Sequence, residues 1–281
     1  MERIDERLGR RQAAFTKTER RVAEWLEKHG EAVAFQTVSA IAKASGASEA
    51  TIVRFARKLG YESFTAMQQA AQRDLQAAHS LGDRFERALR DGRHQGPLER
   101  SFRTDLENLK RTYERIDADA FEDAVRRLAH ARRVAIVGLR ASAGSATYLA
   151  FALQLVRPRV ALIRHDLDDV HEQLLDAEPG DVLLAVSVGK PARRTLEVVR
   201  EAKERRGMAV VGFVSSRVSA IASLSDAALI VSVDGTFNSY AAVASVSGAL
   251  VDGVAAALRD SASSRLARID AINAEDEIYA P

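Results

Sequence analysis

Apolar residues in the first 77 positions recur at three- and four-residue spacing, which predicts a bundle of short helices. Val22, Trp25 and Leu26 form the inward stripe of a helix from about Thr18 to His29, with Thr16 or Thr18 as its cap. A second short helix, Thr37 to Ser45, turns Val38, Ile41 and Ala42 inward, and Gly46 supplies a tight turn. Ser48 is the N-cap of a third, with Glu49 in the first turn, where the helix dipole favours a carboxylate. Its inward residues are Ile52, Phe55, Ala56 and Leu59, and Gly60 ends it. Ser63 to Leu75 repeats the pattern through Phe64, Met67 and Ala71. Residues 78–97 then mix Gly, Pro, Asp and Arg around one short helix containing Phe85 and Leu89, and read as a linker.

From Leu98 the periodicity changes. Helical stretches at 98–116 and 118–130 precede five short apolar runs: Arg133–Gly138, Val160–Arg164, Asp181–Ser187, Ala209–Val214 and Ala227–Val233. Helices at Ala143–Leu155, Val170–Asp176, Arg193–Arg206, Ser219–Leu224 and Asn238–Leu258 follow them in alternation. Runs without internal alternation, separated by helices, predict a doubly wound α/β domain: a five-stranded parallel sheet covered on both faces. It should occupy residues 98–260, leaving 261–281 as a C-terminal tail. Ligands of such sheets sit beyond the C-terminal strand ends, so the loops after Gly138, Ser187, Val214 and Val233 are where a site belongs.

Two domains fit a chain of 281 residues with 47% hydrophobic content. The absence of cysteine excludes disulfides, thiolate metal sites and cysteine nucleophiles. The opening MERIDERLGRRQ lacks the apolar core of a signal peptide, and the longest apolar runs are of strand length. A soluble cytoplasmic protein with no membrane partner is the expectation. Charge adds direction: residues 1–77 hold 13 Lys/Arg against 10 Asp/Glu, while the whole chain carries +2, so the cationic excess lies in the helical part.

That excess gathers on the helix after Gly46. Thr51, Arg54 and Lys58 share a face, with Arg57 beside them. Two short helices joined by a glycine turn, the second one basic, form a helix-turn-helix, whose second helix enters the major groove of DNA. Ser48, Glu49, Thr51, Arg54, Arg57 and Lys58 are the candidate DNA contacts. Hydroxyl and cationic groups near the helix start would meet base edges and those further along phosphates. A solvated helical hairpin carrying two or three cations reads the same way on pattern alone.

At this point FTKTERRVAEWLEKHGEAV followed by TVSAIAKASGASEATIVRFARKLGYESF resembles the N-terminal domain of the RpiR family of bacterial transcription regulators. VAIVGLRASAGSATYLAFALQLVRP and GDVLLAVSVGKPARRTLEVVREAKERRGMAVVGF resemble that family's flavodoxin-like sugar isomerase (SIS) domain. The resemblance implies an operator-binding regulator whose SIS domain binds a phosphorylated sugar or related metabolite.

SIS domains commonly carry a phosphate loop of the form S-x-S-G-x-T after the third strand, and here the chain departs from it. The loop reads Ser187, Val188, Gly189, Lys190, Pro191, Ala192, so only Ser187 remains in register. Lys190, aided by Arg193 and Arg194, would keep an anion site by charge; the same cations also fit a solvated helix start. The first loop, Gly138 to Ser145, resembles a GLRxS variant of the family, and makes Ser142 a candidate ligand contact or a plain helix N-cap. The candidate effector residues are Gly138, Arg140, Ser142, Ser187, Gly189, Lys190 and Ser215, with the 234–240 loop, including Asn238, Ser239 and Tyr240, placed to cover the site.

An isomerase would need an acid/base pair, and His165 and His171 with Asp166, Asp168, Asp169 and Glu172 form the only such cluster near a strand end. Neither G-x-G-x-x-G nor G-x-x-x-x-G-K-[ST] is present. The expected protein is a non-enzymatic DNA-binding regulator without metal or cofactor. It would be a homodimer or homotetramer on a pseudo-palindromic double-stranded operator, responding to a small phosphorylated effector. A phosphosugar isomerase with an accessory helical domain is the alternative, and a regulator whose pocket has lost its ligand and only dimerises is a third reading.

Overall fold

The computed structural model describes Leu8 and residues 15–28, 33–78, 81–91, 96–164, 170–217 and 219–278. The chain divides into two compact units between Arg90 and Asp91.

The first unit is helical. Helix α1 (Lys17–Lys28) opens on a capping box: Thr16 Oγ1 accepts the Glu19 N–H at 3.4 Å, and Glu19 Oε2 accepts the Thr16 N–H at 2.7 Å. Thr16, not Thr18, is therefore the cap. Helix α2 (Val38–Ser45) starts where Thr37 Oγ1 accepts the Ala40 N–H at 3.2 Å and stops at Gly46, whose φ of 65° favours glycine. Helix α3 (Glu49–Lys58) is capped by Ser48, which accepts the Thr51 N–H at 3.2 Å. A cap of this kind contributes about 1 kcal/mol. Helix α4 (Phe64–Ala78) and helix α5 (Leu81–Asp91) follow, so a helix occupies much of the stretch read as linker.

Leu8, Phe15, Val22, Leu26, Ile41, Ile52, Phe55, Leu59 and Met67 form the core of this unit, and Trp25 packs against it half-buried. The Phe15 and Phe55 rings meet at 5.0 Å in a tilted pair. The core thus holds α3 by Ile52, Phe55 and Ala56 and leaves the opposite side of the helix to solvent.

The second unit begins with helices α6 (Pro97–Arg115) and α7 (Ala118–His130). Strands β1 (Val134–Gly138), β2 (Val160–Leu162), β3 (Val182–Ser187), β4 (Ala209–Val214) and β5 (Ala227–Ile230) pair in parallel in the order β2-β1-β3-β4-β5. Alternation within each strand divides the core. Val134, Ile136, Leu184, Val186, Val211 and Phe213 face one apolar layer, and Ala135, Val137, Leu183, Ala185, Val210 and Val214 face the other. Helices α7, α8 (Ala143–Val156) and α12 (Ala241–Ala257) contribute to the first layer, and α10 (Arg193–Arg200) and α11 (Ala220–Leu224) to the second.

Several boundaries differ from the sequence reading. Helix α9 (Val170–Gln173) is a single turn, and the run expected to continue α10 becomes a π-helical turn at Glu201–Arg205. The helix expected from Asn238 begins at Ala241, because Asn238 is left-handed at φ 61° and breaks the helical path. The tail starts inside helix α13 (Arg259–Glu275), which lies against α8, where Arg265 Nε donates to the Gln154 carbonyl at 2.7 Å. Arg157 is buried at the C-terminal end of α7, donating to the carbonyls of Leu128 and Ala131. Burial pulls its guanidinium below its ordinary pKa, and the end of the helix dipole favours the retained charge.

Candidate functional site

Helix α3 presents a narrower polar face than its sequence suggests. Ser48, Glu49, Arg54 and Arg57 are exposed and Thr51 is half-buried, with the Ser48 and Thr51 hydroxyls 2.8 Å apart. Arg54 and Arg57 make no ion pair among the described residues. Lys58, grouped with Arg54 by helical spacing, is instead turned toward α1: its Nζ lies 2.7 Å from Glu19 Oε2 and 5.9 Å from the Phe15 ring centroid. Burial raises the Glu19 pKa, but the hydrogen bonds from Lys58 and Thr16 outweigh it and hold the carboxylate below its ordinary range. Arg21 fixes the turn between the helices, donating to the Gly46 carbonyl at 2.8 Å.

In the second unit the sheet order reverses between β1 and β3, and the loops after these two strands flank that switch point. The register sets Gly138 beside Val186, one residue before Ser187. Gly138 admits no side chain: a Cβ there would stand 2.7 Å from both Ala146 Cβ and the Ser142 carbonyl oxygen. The chain then passes through Arg140, exposed and left-handed at φ 56°, a conformation costly for a non-glycine residue. Ser142 follows, 5% exposed, and it makes no side-chain cap bond to α8. The plain N-cap role is thus not the one it plays.

Ser187, 7% exposed, ends β3. Gly189 is left-handed at φ 72° and donates its N–H to Ser215 Oγ at 3.1 Å, which ties the loops after β3 and β4 together. Lys190 and Arg193 are exposed and without an ion pair among the described residues, while Arg194 faces Glu197 at 3.4 Å. Gly189, Ser187 and Ser215 therefore share one strand-end cluster, with the Gly138–Ser142 turn on the adjacent strand.

Residues 231–240 form a strap at the same edge, and its anchorage on α6 had not been evident in the sequence. Thr112 Oγ1 accepts the Ser232 N–H at 2.9 Å. The Asn108 amide pairs with both backbone groups of Asp234, accepting its N–H at 3.1 Å and donating to its carbonyl at 2.8 Å. Arg111 meets the Asp234 carboxylate, and Ser239 Oγ donates to Asp105. Asn108 is 0% exposed. The available signal was the polar stripe Asp105, Asn108, Thr112 at helical spacing, flanked by Leu98, Phe102, Leu106 and Tyr113, which are exposed.

Of the His and carboxylate cluster, His165, Asp166, Asp168 and Asp169 lie outside the described residues, and Glu172 is exposed. His171 Nδ1 is 3.2 Å from Glu201 Oε2, and that buried carboxylate also meets Arg205 at 3.2 Å and Arg206 at 3.1 Å. Burial raises the Glu201 pKa, yet the bonds from Arg206 and His171 bring it below the ordinary value. Glu201 thus gathers an ion-pair knot on the π-helical turn.

Two family profiles match the chain: "Helix-turn-helix domain, rpiR family" over residues 2–78 and "SIS domain" over residues 127–259. An HTH-type transcriptional regulator of Clostridium perfringens is 23% identical over 214 residues, 75% of each chain. The sugar isomerase domain of an RpiR transcription factor from Sphaerobacter thermophilus is 26% identical with a TM-score of 0.59, covering 63% of this chain and 99% of that one. NanR of Vibrio vulnificus, solved with ManNAc-6P, shares the fold at 22% identity and a TM-score of 0.57, with 99% of both chains covered. With an rpiR-type helix-turn-helix domain joined to a SIS domain on a five-stranded parallel sheet, the chain belongs to the RpiR family of DNA-binding transcriptional regulators.

Proposed function

We propose that the SIS unit senses a small anionic metabolite, a phosphosugar in the first instance, and that its occupancy adjusts operator affinity without chemical turnover. The observation that carries this reading is the pair of buried serines, Ser142 and Ser187, on the adjacent strand ends of the sheet's switch point, with Lys190 and Arg193 exposed beside them. Hydroxyls, loop N–H groups and cations in that arrangement suit a phosphoryl or carboxylate oxygen. The sugar phosphate in the solved NanR relative supports the choice of ligand class.

On DNA, Ser48, Glu49, Thr51, Arg54 and Arg57 form the reading face of α3, and Lys58 positions the helix through Glu19. The apolar stripe of α6, Leu98, Phe102, Leu106 and Tyr113, is covered by a second copy of the chain. A two-fold dimer places its recognition helices about 34 Å apart, so the operator is a pseudo-palindrome.

Equilibrium binding to DNA from upstream of the chain's own gene, against scrambled DNA at one salt concentration, tests the reading. Specific binding on the order of a thousand-fold tighter is expected, and a sugar phosphate should change it. Equal, weak, salt-sensitive binding to both would refute operator recognition. An operator affinity unmoved by any sugar phosphate that binds would refute the coupling.

A further inference from the structure

The loop after β3 has no side chain at position 189, yet the space where one would begin is filled. A Cβ built on Gly189 would stand 2.5 Å from Asn238 Nδ2, so the Asn238 amide occupies the volume of a short polar side chain on that loop. Both residues are left-handed, Gly189 at φ 72° and Asn238 at φ 61°. Asn is one of the few L residues that adopt this conformation readily. The strap thus delivers a hydrogen-bonding group from outside to a loop position that cannot supply its own.

Building on the anion-site reading above, we propose that Asn238 is an effector contact, donating its amide to the anionic group held by the Ser187–Lys190 loop, and that the strap reports this contact to α6. The route is short. From Asn238 the strap reaches Asp234 in four residues, and Asp234 is gripped on α6 by Asn108 through two backbone hydrogen bonds and by Arg111 through its carboxylate. Ser239, next to Asn238, is held by Asp105 one turn along the same helix. A bound oxygen that holds the Asn238 amide steadies these bonds, and Asn108 is buried beneath the strap. Ordering of the strap is therefore ordering of α6.

Inorganic phosphate is the probe, titrated into the full chain by calorimetry, with backbone amide exchange followed by mass spectrometry on the free and saturated protein. Asn238→Gly keeps the left-handed backbone and removes the amide; it is expected to weaken phosphate binding about tenfold. Asn238→Asp keeps the shape and sets a carboxylate against the anion, so its loss is larger. Phosphate should slow exchange in 187–190, in 231–239 and in Asp105–Thr112, and Asn108→Ala should abolish the effect on α6 while leaving that on 187–190. Unchanged affinity in Asn238→Gly overturns the contact, and protection confined to 187–190 in the wild type overturns the relay. No phosphate binding by the wild type removes the anion-site reading itself, and this proposal with it.

Discussion

Replacing Gly138 with alanine tests whether the turn that carries Ser142 is as tightly set as its geometry indicates. The new Cβ would lie 2.7 Å from Ala146 Cβ and 2.7 Å from the Ser142 carbonyl oxygen. Carbon atoms pack at about 3.5–4.0 Å, so one neighbour must retreat by roughly an ångström. Strand β1 is held by β2 and β3 on its two sides and cannot move; the Arg140–Ser142 turn and the start of α8 must. Overpacking of this kind costs about 1–3 kcal/mol, which for a unit of this size lowers the melting temperature by about 2–12 °C. Gly144, in the first turn of α8, has nothing within 4 Å of its Cβ position. Gly144→Ala should therefore stabilise by up to about 1 kcal/mol, as expected for an unhindered helical glycine. Calorimetric melting of the full chain, resolving the transition of the larger unit, compares the two. A Gly138→Ala protein that melts with or above the Gly144→Ala protein would refute the reasoning. Phosphate affinity measured alongside should fall only in the first.

Arg54→Ala should cost about 1–3 kcal/mol of operator binding and relax preference at one base pair by fluorescence anisotropy. Lys58→Ala should lose mainly stability of the helical unit, and an equal loss of DNA affinity in both would contradict the assignment of Lys58 to Glu19. Glu19 has a folded pKa below its ordinary value of 4.5, so its contribution is fully present above that value and disappears as pH falls through the lower, folded pKa. Acid melting of the helical unit should accordingly be flattened in Glu19→Gln, and an unchanged pH profile would show the pair to be inert. Phe102→Asp should shift sedimentation toward the monomer if α6 is the dimer face, since one such buried aromatic is worth about 1.5–3 kcal/mol per copy; an unaltered mass places the dimer elsewhere.

The parallel sheet was legible because buried strands leave short β-branched runs, and Ala209–Val214 was bounded to the residue. Helix α3 was equally plain, since Ser48, the inward stripe and Gly60 all agree on one element. Long-range pairing was not: helical spacing puts Lys58 with Arg54, and only the fold brings Glu19 within 2.7 Å. Ser142 illustrates the same limit, because a serine before a helix looks like a cap until its backbone, at φ −81° and ψ −6°, proves to lie outside the extended region usual for one. Helix α6 inverted expectation most. Leu98, Phe102, Leu106 and Tyr113 point outward, while Asn108 and Thr112 turn inward alongside Leu109, since the strap offers backbone groups that Asn108 and Thr112 satisfy.

The ion pair between Lys58 and Glu19 has a consequence for how this regulator searches a chromosome. On the reading face proposed above, each recognition helix would bring two cations to the duplex where spacing alone would count three. In a dimer, two fewer phosphates are neutralised, and the dependence of log affinity on log salt is shallower by about 2. Attraction to random sequence weakens accordingly, while contacts to base edges are untouched. The protein should dwell briefly at each wrong site and owe more of its hold at the right one to the bases themselves.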